Sequence, residues 1–140
     1  SMHSHAKRWI APLPIKYKVV QKKIPGKADQ MFYFSLAIPQ ETIGLNKLAE
    51  LISDGSTLRR SDVHASLIAL VDVMTQQLSE GRAVALGDLG KFYVAIKSSP
   101  CTEASEVNSA KIIEQRLHYT PSRHLKSFLQ TLSYSKIKES

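Results

Sequence analysis

Residues 45–92 read LNKLAELISDGSTLRRSDVHASLIALVDVMTQQLSEGRAVALGDLGKF, and their periodicity decides the architecture. Leu45, Leu48, Ala49 and Ile52 fall at i, i+3, i+4 and i+7, the stripe of an amphipathic helix. Gly55 is placed to end that helix in a left-handed conformation. A longer helix follows, with Val63, Leu67, Leu70, Val71, Met74 and Leu78 as its main stripe and Ile68 and Val73 widening it. A helix apolar over more than half its circumference is buried on several sides. A chain of 140 residues cannot easily cover that surface by itself. An obligate partner is therefore expected, most simply a second copy. Gly81 is positioned to end the second helix, and Ser61 or Thr57 to cap its start.

Downstream, Val84 and Leu86 open a strand, and Gly87-Asp88 and Gly90 punctuate a turn or bulge. Phe92, Val94 and Ile96 share one face of the next strand. Residues 98–110 are rich in Ser, Glu and Asn, with Pro100 near their start, and show no buried pattern. Ile113, Gln115, Leu117 and Tyr119 alternate again as a returning strand. Pro121 suits the first turn of a last helix whose Leu125, Phe128, Leu129 and Leu132 form one face.

Upstream, Ile15-Lys16-Tyr17-Lys18-Val19 alternates apolar and basic residues, as a strand with one wet face would. Pro25-Gly26 marks a turn. Phe32, Phe34, Leu36 and Ile38 then line the apolar face of a second strand, so residues 14–39 read as a hairpin extension. Residues 1–13 form a basic, flexible lead, in which Ser1-Met2 reads as a cleavage scar. Residues 133–140 form a C-terminal tail, where Tyr134 to Lys138 can supply one more edge strand.

The net charge is +7, and it is unevenly placed. Residues 1–27 hold seven Lys/Arg and no acid, and residues 116–140 hold five bases and one acid. Residues 98–115 hold one base and three acids. Basic ends favour polyanions, nucleic acid above all, through counterion release. The longest apolar run, Leu67 to Met74, is interrupted by Asp72 and is too short to span a bilayer. No charged region followed by an apolar stretch opens the chain, so secretion is not expected. The single Cys101 cannot form an intramolecular disulfide, which suits a reducing cytoplasm.

Enzyme chemistry finds no support. His64, His118 and His124 are scattered, with no second ligand at metal spacing, and the His3 near the N-terminus is a chance copper-type pattern. Cys101 sits in a polar, acidic loop, a setting that does not favour a nucleophilic thiolate. No phosphate-cradling glycine loop appears. No enzyme activity, cofactor, metal or small-molecule substrate is expected.

The order helix, helix, strand, strand, long arm, strand, helix over Leu45 to Leu132 resembles a whole subunit of the HU/integration host factor family. Leu48-Ala49-Glu50-Leu51-Ile52 looks like the family's first helix, Leu58 heads the turn, and Glu80-Gly81 looks like the end of the second helix. Val84-x-Leu86-x-x-Leu89-Gly90-x-Phe92-x-Val94 is similar to the signature around its Gly-Phe-Gly-x-Phe core, and Arg123-His124-Leu125-Lys126 resembles the start of its last helix. The added Pro-Ile-Lys-Tyr-Lys-Val-Val strand resembles a longer HU-related subgroup of Bacteroides-like bacteria.

The resemblance implies an α+β fold: an intertwined homodimer with a helical base, a β-sheet and a β-ribbon arm at about 96–118, within a DNA-binding domain over 40–132. It implies a histone-like protein of the cytoplasmic nucleoid that binds and bends double-stranded DNA with little sequence preference, its ribbons in the minor groove. The matching phosphate-contacting positions are Lys97, Arg123 and Lys126. Arg116 joins them because it lies on the strand face opposite Leu117 and Tyr119, and Lys91, Lys111, Lys16 and Lys18 complete the basic candidates. Three departures stand out. The basic-Asn-Pro tip is absent from an acidic arm, Asp88 replaces the first signature glycine, and Ser122 stands where glycine precedes the last helix. The acidic arm favours an alternative: an HU-fold dimer that has lost arm-mediated DNA binding and serves as a protein-interaction or structural module.

Overall fold

The structure, a computed structural model, describes residues 13–27 and 29–138, so the basic lead lies almost wholly outside the described residues. The elements run β1 (Ile15–Lys23), β2 (Met31–Ala37), α1 (Leu45–Asp54), α2 (Arg60–Ser79), β3 (Val84–Ala85), β4 (Gly90–Ser98), β5 (Ile112–Pro121), α3 (Arg123–Leu129) and β6 (Tyr134–Lys136). The arrangement is α+β, with two three-stranded sheets. The chain divides into two compact units, one comprising residues up to Glu41 together with those from Gln130, the other Thr42–Leu129.

In the first unit β1 and β2 form the expected hairpin, antiparallel with Val20 opposite Phe34. The segment read as a tail does more than trail: β6 pairs in parallel with β1, Ile15 opposite Tyr134, giving the order β2-β1-β6. The Ile15 N–H donates to the Ser133 carbonyl at 2.9 Å, and the Ile137 N–H to the Tyr17 carbonyl at 3.0 Å. The edge strand expected from Tyr134 to Lys138 thus forms over Tyr134–Lys136, and its partner is the edge of β1.

In the second unit α1 and α2 pack together as a helical hairpin. The tight link is held by Ser53 Oγ donating to the Leu58 carbonyl at 2.8 Å and by Ser56 Oγ accepting the Leu58 N–H at 3.2 Å. Gly55 caps α1 without a left-handed backbone, at φ −94°, its N–H reaching the Leu51 carbonyl. Neither Thr57 nor Ser61 caps α2. Arg59 occupies that position with no side-chain hydrogen bond, because helical geometry begins at Arg60 and already includes Ser61. Gly81 does end α2 left-handed, at φ 84°. Its N–H donates to the Leu78 carbonyl and the Arg82 N–H to the Gln77 carbonyl, satisfying carbonyls the helix leaves open.

Little of this helical surface is covered. Among the described residues the buried apolar side chains are Ala49 and Val63. Leu51 stays 51% exposed, Val71 58% and Val73 55%. Full burial of a Leu or Val side chain stabilises by roughly 1.5–3 kcal/mol, so each of these leaves on the order of 1 kcal/mol unclaimed.

The second sheet is antiparallel, in the order β3-β4-β5. β3 is only Val84–Ala85; Leu86 has left the strand, its N–H donating to the Gly90 carbonyl at 2.8 Å around a single 3-10 turn at Gly87–Leu89. Gly90 is buried at φ 126°, and a Cβ there would collide with the Thr120 carbonyl and crowd Tyr119 and Pro121. Gly90 thus lets β5 close onto β4 at the base of the ribbon. Substituting Gly90→Ala adds left-handed strain to a backbone clash, each of order 1–2 kcal/mol or more. A thermal melt should show Tm lower by at least 5 °C; an unchanged Tm would refute this role for the glycine.

Candidate nucleic-acid interface

β4 and β5 form a long two-stranded ribbon from the Gly90–Pro121 pair to the Ser98–Ile112 pair. Alternation along paired strands sends opposite residues to the same face. Phe92, Val94, Leu117 and Tyr119 therefore line an apolar face, with Phe92 and Tyr119 ring centroids 4.9 Å apart. The other face holds Lys91, Tyr93 and Lys97 of β4 opposite Thr120, His118 and Glu114 of β5, with Arg116 opposite Ala95 between them. A register shift beyond Lys97 leaves Ile113 unmatched, a bulge where the ribbon meets its tip.

Three of the basic candidates thus share one surface: Lys91, Arg116 and Lys97, spread over about 20 Å of strand at ~3.3 Å per residue. They are not equivalent. The Lys91 ammonium lies 5.9 Å from the centroid of the Tyr93 ring, and Tyr93 stacks on His118 at 5.1 Å and 12°. Arg116 Nε donates to Glu114 Oε1 at 2.8 Å, so its charge is already matched within the strand. Glu114 also sits opposite Lys97 in the pairing. The Tyr93–His118 stack was not singled out in the sequence, although Tyr93 has the strand parity of Lys91 and Lys97.

Beyond the paired strands, residues 99–111 carry two single 3-10 turns, Ala104–Glu106 and Ser109–Lys111. The Ser99 N–H donates to the Lys111 carbonyl at 2.8 Å and closes the segment. Lys111 is half-buried there, Pro100 is exposed, and Val107 is an exposed apolar side chain. Glu103 and Glu106 are both exposed in this tip segment.

Arg123 and Lys126 are exposed and lie three residues apart on α3, hence on one side of it. Pro121 ends β5 instead of opening this helix, and the helix stops at Leu129, short of Leu132. Two of the three departures from the family signature meet here. Ser122 Oγ accepts the Leu125 N–H at 3.1 Å, capping α3, and donates to the Asp88 carbonyl in the turn before β4. One hydroxyl therefore anchors the cationic helix to the base of the ribbon. Lys16 and Lys18 are exposed on β1 and belong to the first unit.

Among the described residues no group of His, Cys, Asp or Glu is placed to hold a metal ion. No described helix is long and apolar enough to cross a membrane. Shallow cavities lie beside Lys97, Arg116 and His118 on the ribbon and beside Asn46, Arg60, Ser61 and His64 on the helical hairpin.

A helical hairpin, a long ribbon and a short closing helix define an HU-type module. The chain belongs to the HU-HIG family, described as an HU domain fused to wHTH, Ig, or glycine-rich motif, which matches residues 13–136. Among solved structures it is similar to a protein of Bacteroides vulgatus ATCC 8482 assigned as a bacterial DNA-binding protein, at 12% identity and TM-score 0.64. That match covers 90% of this chain and 49% of the other, so this chain spans about half the length of that relative. It is also similar to HU in an Anabaena HU–DNA cocrystal structure, at 11% identity and TM-score 0.50, over 64% of this chain and 99% of the other. No curated protein matches.

Loss of the Ser122 hydroxyl in Ser122→Ala removes both the helix cap and its tie to Asp88. A stability loss of about 1–2 kcal/mol is expected. Urea unfolding checks it: the midpoint should fall with the slope unchanged, and an unshifted midpoint would dispense with the tie.

Proposed function

We propose that this protein is a histone-like, architectural DNA-binding protein of the nucleoid. Two copies interlock α1 and α2 into a common base, and their ribbons embrace double-stranded DNA, bending it with little sequence preference. The observation that carries the reading is the ribbon from Gly90 to Pro121, which sorts Lys91, Lys97 and Arg116 onto one face and leads directly into Arg123 and Lys126. Such a surface offers charge at intervals and few groups suited to reading base edges, which favours phosphate contact and deformability over sequence. Membership in the HU-HIG family and the likeness to an HU solved with DNA support the same partner. Lys111, where the end segment closes on the paired strands, and the exposed Val107 within that segment are the contacts proposed for the far end of the arm.

Dimerisation is supported by the apolar helix surface that the chain leaves open. A symmetric pair would bury the same patch on both subunits and set two ribbons in register.

One observation favours a second reading. Glu114 matches the charge of Arg116, and Glu103 and Glu106 put negative charge at the tip, which opposes a phosphate backbone. On that reading the dimer serves as a protein-interaction module. A fluorescence-anisotropy titration of a random-sequence duplex, with end-labelled energy transfer to report bending, separates the two. Binding should be micromolar or tighter and weaken steeply with salt. Replacing Arg123→Gln and Lys126→Gln should reduce the magnitude of the salt slope by about 3–4, at ~0.9 per phosphate contact with two contacts from each of the two copies. Absence of binding at low salt would contradict the architectural reading.

A further inference from the structure

Strand alternation sorts the first sheet into two unlike faces. Lys16, Lys18 and Lys22 of β1 share one face with Phe32, Phe34 and Leu36 of β2. All three lysines are exposed, and from Lys16 to Lys22 the strand runs about 20 Å at ~3.3 Å per residue. The Lys22 ammonium lies 5.3 Å from the centroid of the Phe34 ring, and Lys27 lies 5.7 Å from that of Phe32. A ring face positions an ammonium group without neutralising it.

Neutralising partners are scarce throughout this unit. Its described residues hold seven lysines against two acids, Asp29 and Glu41, neither of them in a strand. Among the described residues no ion pair reaches any of the seven. Lys47–Glu50, Arg82–Glu80 and Arg116–Glu114 all belong to the other unit. The ribbon's cations are partly cancelled at Glu114, whereas those of the first sheet keep their full charge.

We infer that the lysine–phenylalanine face of the β2-β1-β6 sheet is a second duplex-DNA contact, which grips the phosphate backbone. The inference rests on the DNA-binding function proposed above and says where much of the affinity resides. A phosphate backbone is the partner that point charges repeated along an extended strand fit best, since each lysine releases counterions independently and demands no fixed geometry. A single strand would seek open aromatic faces on which to stack. Here Lys22 and Lys27 sit over the Phe34 and Phe32 rings, which then serve as positioning groups.

The test uses the full chain carrying Lys16→Gln, Lys18→Gln and Lys22→Gln, three exposed strand positions where the unit should still fold. Lys22→Gln alone is the milder variant. Each is titrated against a fluorescent duplex at several salt concentrations, beside the parent and the Arg123→Gln/Lys126→Gln variant. With both copies carrying the changes, the magnitude of the salt slope should fall by about 5 for the triple variant and by about 2 for the single one. Affinity of the triple variant near physiological salt should drop tenfold or more. Parent-like slope and affinity in the triple variant, with the Arg123/Lys126 variant weakened, would overturn the inference and leave the proposed function standing. Loss of binding to polyglutamate with duplex binding intact would also overturn it and point to an acidic protein. A parent chain that binds no duplex would instead remove the function itself.

Discussion

The apolar surface of α1 and α2 is the constraint from which the rest follows. An ordinary domain hides its long helix in a core built from its own chain, but here the packed hairpin buries Ala49 and Val63 and leaves Leu51, Ile52, Val71 and Val73 largely in water. A helix pair this open is a half-core. In the proposed dimer, a second copy supplies the other half. In that dimer, interlocked helices bring two ribbons into a fixed relation from which they clamp a duplex from both sides. Gly90 and Ser122 then act at the junction where each ribbon leaves the base, one by permitting close approach of β5 and the other by tying α3 to the turn.

Charge is distributed by a different logic. The ribbon presents Lys91, Arg116 and Lys97 on one face, yet Glu114 cancels part of that potential. An exposed pair of this kind contributes about 0–1 kcal/mol to stability, so its main effect is on the local field. Among the described residues, lysines without an ion pair are concentrated in the small sheet of β2, β1 and β6. If both proposals hold, an arm of reduced attraction and an auxiliary sheet of strong attraction together give a salt-sensitive but sequence-tolerant grip.

Much of the fold was legible because its periodicities are long. The α1 stripe, the greasy α2 and the alternation in β1, β2, β4 and β5 all emerge at the expected places. The misreadings fall where local pattern is short or where a distant segment decides. The edge strand read at Tyr134 to Lys138 does form as β6, but its parallel neighbour, 119 positions away at Ile15 and Tyr134, was not legible. Leu132 continues the apolar face of α3 in the sequence, but the helix ends at Leu129, before the chain turns toward β6. Pro121 looked like a helix opener and instead closes a strand opposite Gly90, because Ser122 takes the capping role. The site was legible in its charges and not in their partners. Spacing put Arg116 away from Leu117 and Tyr119, whereas its bond to Glu114 and the Tyr93–His118 stack required coordinates.

The most direct test of the account is the mass of the full chain in solution. Sedimentation equilibrium at micromolar concentration should return twice the chain mass, and unfolding should shift to higher temperature as protein concentration rises. A folded species of single chain mass, with a concentration-independent melt, would contradict the shared helical base and with it the paired ribbons.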